Sequence, residues 1–420
     1  MNAMKQLLVY ADFHFLPASQ KLGALNHDRV RGNEVFSFSY DQTWLNKYGN
    51  IRLGEDLNTF PGLQYAPSDS IFGCFADSLP DRWGRTLAEK REEIEAIRNN
   101  RPVKKLSSLD YLLSVDDLMR MGGFRFKTEE DAPFLNDCGT MRIPPIASLR
   151  ELAAAADAIE RSEELGELPE EKWLYQLLNP GTSLGGARPK ANVMEKDNSL
   201  WIAKFPSRED RHDVSLWELF CNQLAKSCHV DVADATVMAS GKRYHIFLTK
   251  RFDRTSEGKR VHFSSAMNLL GFKDGDGRNN GKGYLDIADL IIQHCPDTDK
   301  QLEQLYRRIA FNICVGNADD HFRNHGFLLS SKGWVLSPAY DINPSLSTDQ
   351  CLMITENTNE ASLSALSEAH DSYYLPKDRA LAIIDEVRNG ISRWPSLAKQ
   401  LHMTETEVKV FEGRLNLFKA

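Results

Sequence analysis

The stretch VGNADDHFRNHGFLLSSKGWVLSPAYDINPS, residues 315–345, decides the fold class of this 420-residue chain. It holds Asp319, then Asn324 after four intervening residues, then two apolar runs around the turn SKG, and finally Asp341. Two short apolar runs separated by a glycine-containing turn predict a β-hairpin. Such a hairpin would bring Asp341 back toward Asp319 and Asn324.

The three side chains in this stretch match the needs of phosphoryl transfer. That reaction needs an acceptor for the proton of the attacking hydroxyl, and oxygen ligands for the magnesium ions that neutralise phosphate charge. Asp319 would orient or deprotonate the hydroxyl, Asn324 would bind one Mg²⁺ through its side-chain oxygen, and Asp341 would bridge the metal to the phosphates. We therefore predict a kinase site that uses ATP and Mg²⁺.

Each of these residues also has an ordinary structural role open to it. Asp319 and Asp320 could cap a helix, Asn324 could form a turn, and Asp341 could begin an Asx-turn before Pro344. The combined spacing around a predicted hairpin favours phosphoryl transfer over these separate roles.

The overall composition indicates a globular protein. Hydrophobic residues make up 42% of the chain and charged residues 26%, and the formal net charge is -8, which does not favour direct binding of the whole surface to DNA. The N-terminal sequence MNAMKQLLVYADFHF lacks the basic start and long apolar run of a secretory signal, and no run is long enough to span a bilayer. We expect a cytoplasmic protein that does not associate with membranes.

Three segments follow one another along the chain. Residues 1–148 alternate short apolar stretches with turn signals and predict a small α+β module. Residues 149–255 begin with a charge-rich helix that contains a break, continue through a glycine-rich loop and become strand-rich, whereas residues 256–420 are mainly helical after Asp286, interrupted only by the hairpin. The predicted fold class is α+β, two-lobed and protein-kinase-like, with a small N-terminal α+β subdomain and an all-α C-terminal lobe.

Two charged residues upstream suit the nucleotide. Lys204 lies in a predicted strand, SLWIAKF, where it could pair with the phosphates. Glu218, in the following helix, could hold Lys204 by an ion pair, although Glu209, Asp210 and Asp213 are rival partners. Asp213 is also the expected N-cap of that helix.

The segment GTSLGGARPK, residues 181–190, could present backbone N–H groups near Gly185 and Gly186 to phosphate. It does not match the Walker A pattern, because Ala187 stands where a lysine would follow Gly186, and it does not match GxGxxG. An ordinary loop is the alternative.

Taken together, these motifs resemble the HipA family of bacterial serine/threonine kinases, the toxins of type II toxin–antitoxin pairs. The resemblance extends over most of the chain. It is carried by SLPDRWGR (78–85), SLGGARPK (183–190), WIAKFPS (201–207), KRFDR (250–254), GNADDHFRN (316–324) and SPAYDINPS (337–345).

The resemblance implies roles for several residues near the nucleotide. Ser183 would be an autophosphorylation site whose modification ejects the loop and stops nucleotide binding, with Thr182 beside it. Backbone groups around Lys250 and Phe252 would hold the adenine. Asp81, in SLPDRWGR, is expected only to cap the start of a helix.

The resemblance also implies partners. The expected substrate is a protein of the translation machinery, such as an aminoacyl-tRNA synthetase, and the expected partner is a HipB-like helix-turn-helix antitoxin, through which any DNA contact would be indirect. Two other functions stay open, namely a small-molecule or lipid kinase of the same fold and a non-catalytic co-repressor that binds the antitoxin.

Overall fold

The computed structural model describes residues 5–67, 70–137, 143–178, 186, 188–241 and 244–418. The strands are β1 (Lys5–Ala11), β2 (Gln20–Val30), β3 (Asn33–Tyr40), β4 (Leu63–Tyr65), β5 (Phe124–Lys127), β6 (Lys190–Met194), β7 (Leu200–Lys204), β8 (Ala235–Ala239), β9 (His245–Lys250), β10 (Phe263–Ser265), β11 (Gly326–Ser330) and β12 (Gly333–Leu336). The helices are α1 (Gln42–Tyr48), α2 (Gly73–Ala76), α3 (Arg82–Arg98), α4 (Ser108–Ser114), α5 (Leu149–Leu165), α6 (Glu171–Leu178), α7 (Val214–Ser227), α8 (Ala266–Leu269), α9 (Tyr284–His294), α10 (Thr298–Val315), α11 (Leu363–Glu368), α12 (Lys377–Ile391), α13 (Trp394–Gln400) and α14 (Glu405–Phe418).

The chain forms two compact units. The first contains Met1–Glu209 and Lys250–Ser264, and the second contains Asp210–Thr249 and Ser265–Ala420. The chain therefore leaves the first unit, returns to it for one short segment and leaves it again. The three-segment organisation expected from the sequence stays a prediction, whereas the α+β class is confirmed by the mixture of helices and strands.

The first unit is built on a five-stranded antiparallel sheet with the strand order β4-β3-β2-β1-β5. Its buried face is apolar and aromatic. Phe38 of β3 lies 5.5 Å from Phe75 of α2, measured between ring centroids, and Phe75 lies 5.1 Å from Phe124 of β5. Packing of this kind explains why phenylalanines recur in the N-terminal third of the sequence.

Helices α5 and α6 and strands β6 and β7 form where the sequence predicts a broken helix and a pair of strands. The predicted helix with a break is confirmed as α5 and α6, because α5 ends at Gly166 with a φ of 67°, a left-handed conformation that glycine adopts readily. The predicted pair ANVME and SLWIAKF is confirmed as the antiparallel strands β6 and β7, with Lys190 directly opposite Lys204.

The second unit places a long helix before the predicted hairpin. The hairpin is confirmed as β11 and β12, with Phe327 opposite Leu336 and Ser330 opposite Gly333. Asp213 caps α7 as expected, since its carboxylate accepts a hydrogen bond from the backbone N–H of Leu216 over 3.1 Å.

One expectation about the second unit is wrong. The sequence predicts a mainly helical chain after Asp286 that only the hairpin interrupts, but residues 337–362 also form neither a helix nor one of the strands β1–β12. Pro338 and Pro344 restrict the backbone here, and Asp341 has a φ of 58°, which is outside the helical region. Among the helices described, none is long and apolar enough to cross a lipid bilayer.

Candidate active site

Helix α10 and the hairpin β11–β12 position the predicted catalytic loop, residues 317–325. The helix ends at Gly316, whose φ is 77°, and a Cβ atom there would lie 2.2 Å from the carbonyl oxygen of Ser345. Ser345 donates to the carbonyl oxygen of Gly316 from its backbone N–H over 2.9 Å and from its hydroxyl over 2.7 Å. Only glycine permits this approach, which joins the start of the loop to the end of SPAYDINPS.

The adjacent aspartates of the loop have opposite environments. Asp319 is exposed, whereas Asp320 is 3% exposed. One carboxylate oxygen of Asp320, Oδ2, accepts hydrogen bonds from Asn312 Nδ2 over 2.6 Å, from the hydroxyl of Tyr284 over 2.8 Å and from His325 Nε2 over 2.9 Å. Asp320 therefore fixes the loop from within, and Asp319 presents its carboxylate at the surface.

The ionisation of Asp320 follows from these contacts. Burial by itself would raise the pKa of this carboxyl, but the His325 ring and the hydroxyl of Tyr284 stabilise the carboxylate, and its pKa lies below the usual value. Burial, together with the neighbouring Asp320, raises the pKa of Tyr284. Asp320 thus stays an ionised acceptor and Tyr284 stays a donor.

Asn324 is oriented by the backbone of the loop itself. Its Nδ2 donates to the carbonyl oxygen of Asp319 over 3.0 Å, and its backbone N–H donates to the carbonyl oxygen of His321 over 2.8 Å. Because the amide nitrogen is engaged in this bond, the amide oxygen is the group that suits a cation.

Asp341 lies just beyond β12 in the left-handed region, with a φ of 58°. Asn343 Nδ2 donates to its Oδ1 over 3.3 Å, and the backbone N–H of Asn343 donates to Asn317 Oδ1 over 3.3 Å. The hydroxyl of the preceding Tyr340 donates to the carbonyl oxygen of Arg323 over 2.5 Å. The segment that carries Asp341 is therefore bonded to the catalytic loop.

A chain of hydrogen bonds through three asparagines connects the two acidic motifs. Asn317 Nδ2 donates to Asn312 Oδ1 over 3.2 Å, so the polar contacts run from Asp320 through Asn312, Asn317 and Asn343 to Asp341. Sequence reasoning did not identify these asparagines or the role of Asp320, although the repeated asparagines on both sides of the motif offered a signal.

A small cavity of about 10 Å³ lies behind the loop. Its volume suits about one water molecule, so a nucleotide would have to bind outside it. Arg308 lines the cavity and donates from Nη2 to the carbonyl oxygen of Ser337 over 2.5 Å, and burial lowers the pKa of Arg308 to about 10. The lining residues are Val230, Arg308, Phe311, Asn312, Asp320, Asn324, His325, Ala339, Tyr340 and Ile342.

The donor set fits Mg²⁺ better than a metal held by protein alone. Within the ranges that the structure describes, no three His, Cys, Asp or Glu side chains gather as a metal site. Mg²⁺ is usually bound by one or two carboxylates together with substrate phosphates and water. Asn324 and Asp341 would supply a ligand set of this kind.

The predicted nucleotide residues fall in different parts of the molecule. Lys204, at the end of β7 in the first unit, is 9% exposed, and Glu218, on α7 in the second unit, is 4% exposed. Their pairing stays a prediction. Asp213, one of the rival partners, bonds to His245 and caps α7.

The glycine-rich loop is only partly described. Gly186 has a φ of 101°, whereas Ser183, Gly185 and the neighbouring Thr182 lie outside the described residues. The roles proposed for those three residues therefore rest on the sequence.

The motif KRFDR has a structural role that the sequence did not reveal. Lys250 and Phe252 are half-buried, but Arg251 and Asp253 are fully buried and form a two-pronged ion pair, with Nε–Oδ1 and Nη2–Oδ2 distances of 2.8 and 2.7 Å. Burial opposes ionisation of Asp253, but the two flanking arginines, Arg251 and Arg254, outweigh it and hold the pKa of the carboxyl well below its usual range. Asp253 Oδ2 also accepts from the backbone N–H of Gly122 over 2.9 Å, which joins the motif to the N-terminal third of the chain.

Comparisons with known proteins identify the family of the chain. A family model described as the HipA-like C-terminal domain matches residues 182–394, and one described as the HipA N-terminal domain matches residues 16–110. A Haemophilus influenzae protein that carries the name of a kinase is 28% identical over 197 residues, covering 42% of this chain and 57% of that protein. Serine/threonine-protein kinase toxin HipA of Shewanella oneidensis is 27% identical over 226 residues, covering 47% of this chain and 50% of that protein. The chain spans about half the length of these curated relatives.

A solved structure supports the fold. The chain is similar, with a TM-score of 0.65 and 17% identity, to a chain in the complex of Shewanella oneidensis HipA, HipB and its operator DNA, and the match covers 98% of this chain and 95% of that one. The predicted α+β, protein-kinase-like fold of the HipA type is thereby confirmed. Because the C-terminal family model spans just over half of the 420 residues, the chain belongs to the HipA family.

Proposed function

We propose that this chain is an ATP-dependent serine/threonine protein kinase and the toxin of a type II toxin–antitoxin pair. The observation that carries the proposal is the pairing of an exposed Asp319 with a rigidly held neighbour, Asp320, on a loop bonded to the segment of Asp341. A general base needs access to substrate and a fixed position, and this arrangement supplies both.

Each residue of the site would have a distinct role in transfer. Asp319 would accept the proton of the attacking serine or threonine hydroxyl, and the carboxamide oxygen of Asn324 and the carboxylate of Asp341 would hold Mg²⁺. The bound metal neutralises the charge that the phosphates carry and develop. Lys204 would pair with the phosphates and Glu218 would orient Lys204.

The glycine-rich loop would regulate the enzyme. Backbone groups near Gly185 and Gly186 would approach the phosphates, and those near Lys250 and Phe252 would hold the adenine. Phosphorylation of Ser183 adds close to two negative charges, which would repel ATP and favour pairing with a cation such as Arg188. Autophosphorylation at this serine would thus switch the kinase off.

The partners are proposed from the family. A relative in that family has been solved with HipB and operator DNA, which supports a HipB-like helix-turn-helix antitoxin for this chain and contact with DNA through that partner. The substrate would be a cytoplasmic protein of the translation machinery. Co-purification of the chain with the product of an adjacent gene for a short helix-turn-helix protein tests the pairing.

The activity is tested by incubating the protein with Mg-ATP and mapping phosphorylated residues by mass spectrometry. We expect modification of Ser183 in the wild type and none in Asp319→Ala or Asp341→Ala. Equal modification of all three proteins would contradict the proposal. Transfer of labelled phosphate to lysate metabolites or lipids alone would favour a small-molecule or lipid kinase, and Mg-ATP binding without transfer would favour a non-catalytic co-repressor.

A further inference from the structure

The motif SLPDRWGR, residues 78–85, contacts the end of the glycine-rich segment within the first unit. Asp81 Oδ2 lies 2.9 Å from Lys190 Nζ, and the two side chains are 1% and 2% exposed, respectively. Removing one partner of an ion pair this deeply buried strongly destabilises the folded protein, because the charge of the other partner is then left without compensation. The contact therefore fixes the residue at which the glycine-rich segment enters β6.

Asp81 is itself held in place by the helix that it caps. Asp81 is the N-cap residue of α3, and its other oxygen, Oδ1, accepts a hydrogen bond from the backbone N–H of Gly84 over 2.7 Å. The positive end of the helix dipole stabilises a carboxylate at this position. The predicted cap is thus confirmed, and the same carboxylate joins the helix to Lys190.

A second contact joins the start of α3 to Gly186 of the glycine-rich loop. The backbone N–H of Trp83 donates to the carbonyl oxygen of Gly186 over 3.4 Å. A Cβ atom on Gly186, whose φ is 101°, would lie 3.0 Å from Lys190 Nζ, so the backbone passes directly over the ammonium group. Gly186 and Lys190 therefore form one packed unit with the start of α3.

The pairing of β6 with β7 places Lys190 next to Lys204, the lysine that is proposed to bind the phosphates. Lys190 on β6 lies directly opposite Lys204 on β7, and opposite residues of an antiparallel pair project from the same face of the sheet. Two like charges at such positions repel one another. Asp81 offsets the charge of Lys190 beside the lysine that is proposed to bind the phosphates.

We infer that Asp81 is a positioning residue for nucleotide binding, which holds Lys190 and, through it, the exit of the glycine-rich loop beside Lys204. The inference rests on the proposed function, because it takes Mg-ATP as the ligand of this loop. It assigns to SLPDRWGR, more than one hundred residues earlier in the chain, a part in setting the affinity for ATP.

The decisive variant is Asp81→Asn. Asparagine caps a helix as well as aspartate does, so the substitution keeps the cap of α3 and removes only the charge that pairs with Lys190. Asp110→Asn is a matched control, since Asp110 also pairs with a lysine, Lys104, over 2.6 Å and belongs to the capping box of α4. We expect Asp81→Asn to raise the Kd and KM for Mg-ATP about tenfold, with a smaller change in kcat, and Asp110→Asn to leave both constants unchanged.

Two further measurements separate positioning from simple loss of stability. The double variant Asp81→Asn, Lys190→Met lacks both charges of this ion pair, and we expect it to unfold near the wild-type temperature while its ATP affinity stays low. Restoration of wild-type affinity in the double variant, or unchanged affinity in a folded Asp81→Asn, would overturn the inference.

Hydrogen exchange without nucleotide should be faster at residues 186–194 in Asp81→Asn than in the wild type and Asp110→Asn. Equal exchange in the three proteins would also overturn the inference. Because this readout needs no ATP, failure of the wild type to bind or transfer phosphate would count against the proposed function alone.

Discussion

Asn312 donates a hydrogen bond from Nδ2 to Asp320 Oδ2 over 2.6 Å, which joins the last turn of α10 to the residue beside Asp319. Substituting Asp320 with Asn replaces an acceptor of three hydrogen bonds by a group that is partly a donor. We expect kcat to fall about tenfold to a hundredfold, because Asp319 loses its fixed position, with little change in the KM for ATP. Asp371→Asn is a suitable control, since that side chain is 92% exposed. A wild-type kcat in a folded Asp320→Asn would contradict this role.

Asp319 should matter for catalysis and not for stability. Its side chain is exposed, so Asp319→Ala is expected to unfold at the wild-type temperature. Loss of a general base typically reduces kcat by about 10²-fold to 10⁴-fold. Steady-state transfer rates and thermal unfolding, measured on the same preparation, check both parts of this expectation, and full activity would remove Asp319 from the mechanism.

Asp341→Asn tests the proposed metal ligand with little disturbance of the backbone. Asparagine tolerates the left-handed region in which Asp341 lies, with its φ of 58°, so the local fold should persist. Loss of the carboxylate charge is expected to raise the Mg²⁺ concentration needed for half-maximal activity at least about tenfold. A titration with Mg²⁺ at saturating ATP measures this shift, and an unchanged midpoint would exclude Asp341 as a ligand.

Gly316→Ala should disrupt the junction between α10 and the catalytic loop. The added Cβ would meet the carbonyl oxygen of Ser345 at 2.2 Å, whereas at Gly275, which also has a positive φ, no described atom lies within 4 Å of such a Cβ. Both substitutions carry the cost of about 1 kcal/mol for a left-handed residue, but only Gly316→Ala adds a steric clash. Chemical denaturation of the two variants should therefore show a larger loss for Gly316→Ala, and equal losses would refute the argument.

His262 should make the stability of the first unit depend on pH. Its ring stacks on Phe13 with centroids 4.6 Å apart, and burial lowers its pKa from 6.5 to about 3. Between these values the unfolded chain binds a proton that the folded chain does not, so the stability from this group is present above pH 6.5 and is lost as the pH falls. The expected slope approaches about 1.4 kcal/mol per pH unit. His262→Phe should remove this slope, and free energies of unfolding measured between about pH 7 and pH 5 check it.

Local signals made much of the fold predictable. The turn of the β11–β12 hairpin, the cap at Asp213 and the break at Gly166 each depend on residues within a few positions, and the structure confirms all three. Asp319 and Asn324 also lie within one short loop, where the amide of Asn324 donates to the backbone of Asp319, but their roles in the site stay a prediction.

Long-range contacts were beyond prediction from one sequence. Asp319 and Asp320 are identical neighbours, and only the packing of Asn312, Tyr284 and His325 decides which of them is buried. The pair of Asp81 and Lys190 joins residues 109 positions apart, and no local pattern specifies such a partner. The charged residues of a motif such as SLPDRWGR therefore predict an exposed segment, and only the fold shows that Asp81 is buried.

The return of the chain to the first unit at Lys250–Ser264 affects how the protein is synthesised. Arg254 of this segment donates to the carbonyl oxygens of Leu118 and Arg120 over 2.8 and 3.0 Å, and Asp253 accepts from Gly122. A nascent chain that has emerged from the ribosome only as far as Glu209 lacks these groups, so its first unit is incomplete. Folding of that unit must await translation of Ser264, and gene fragments that stop at residue 209 are expected to yield insoluble protein.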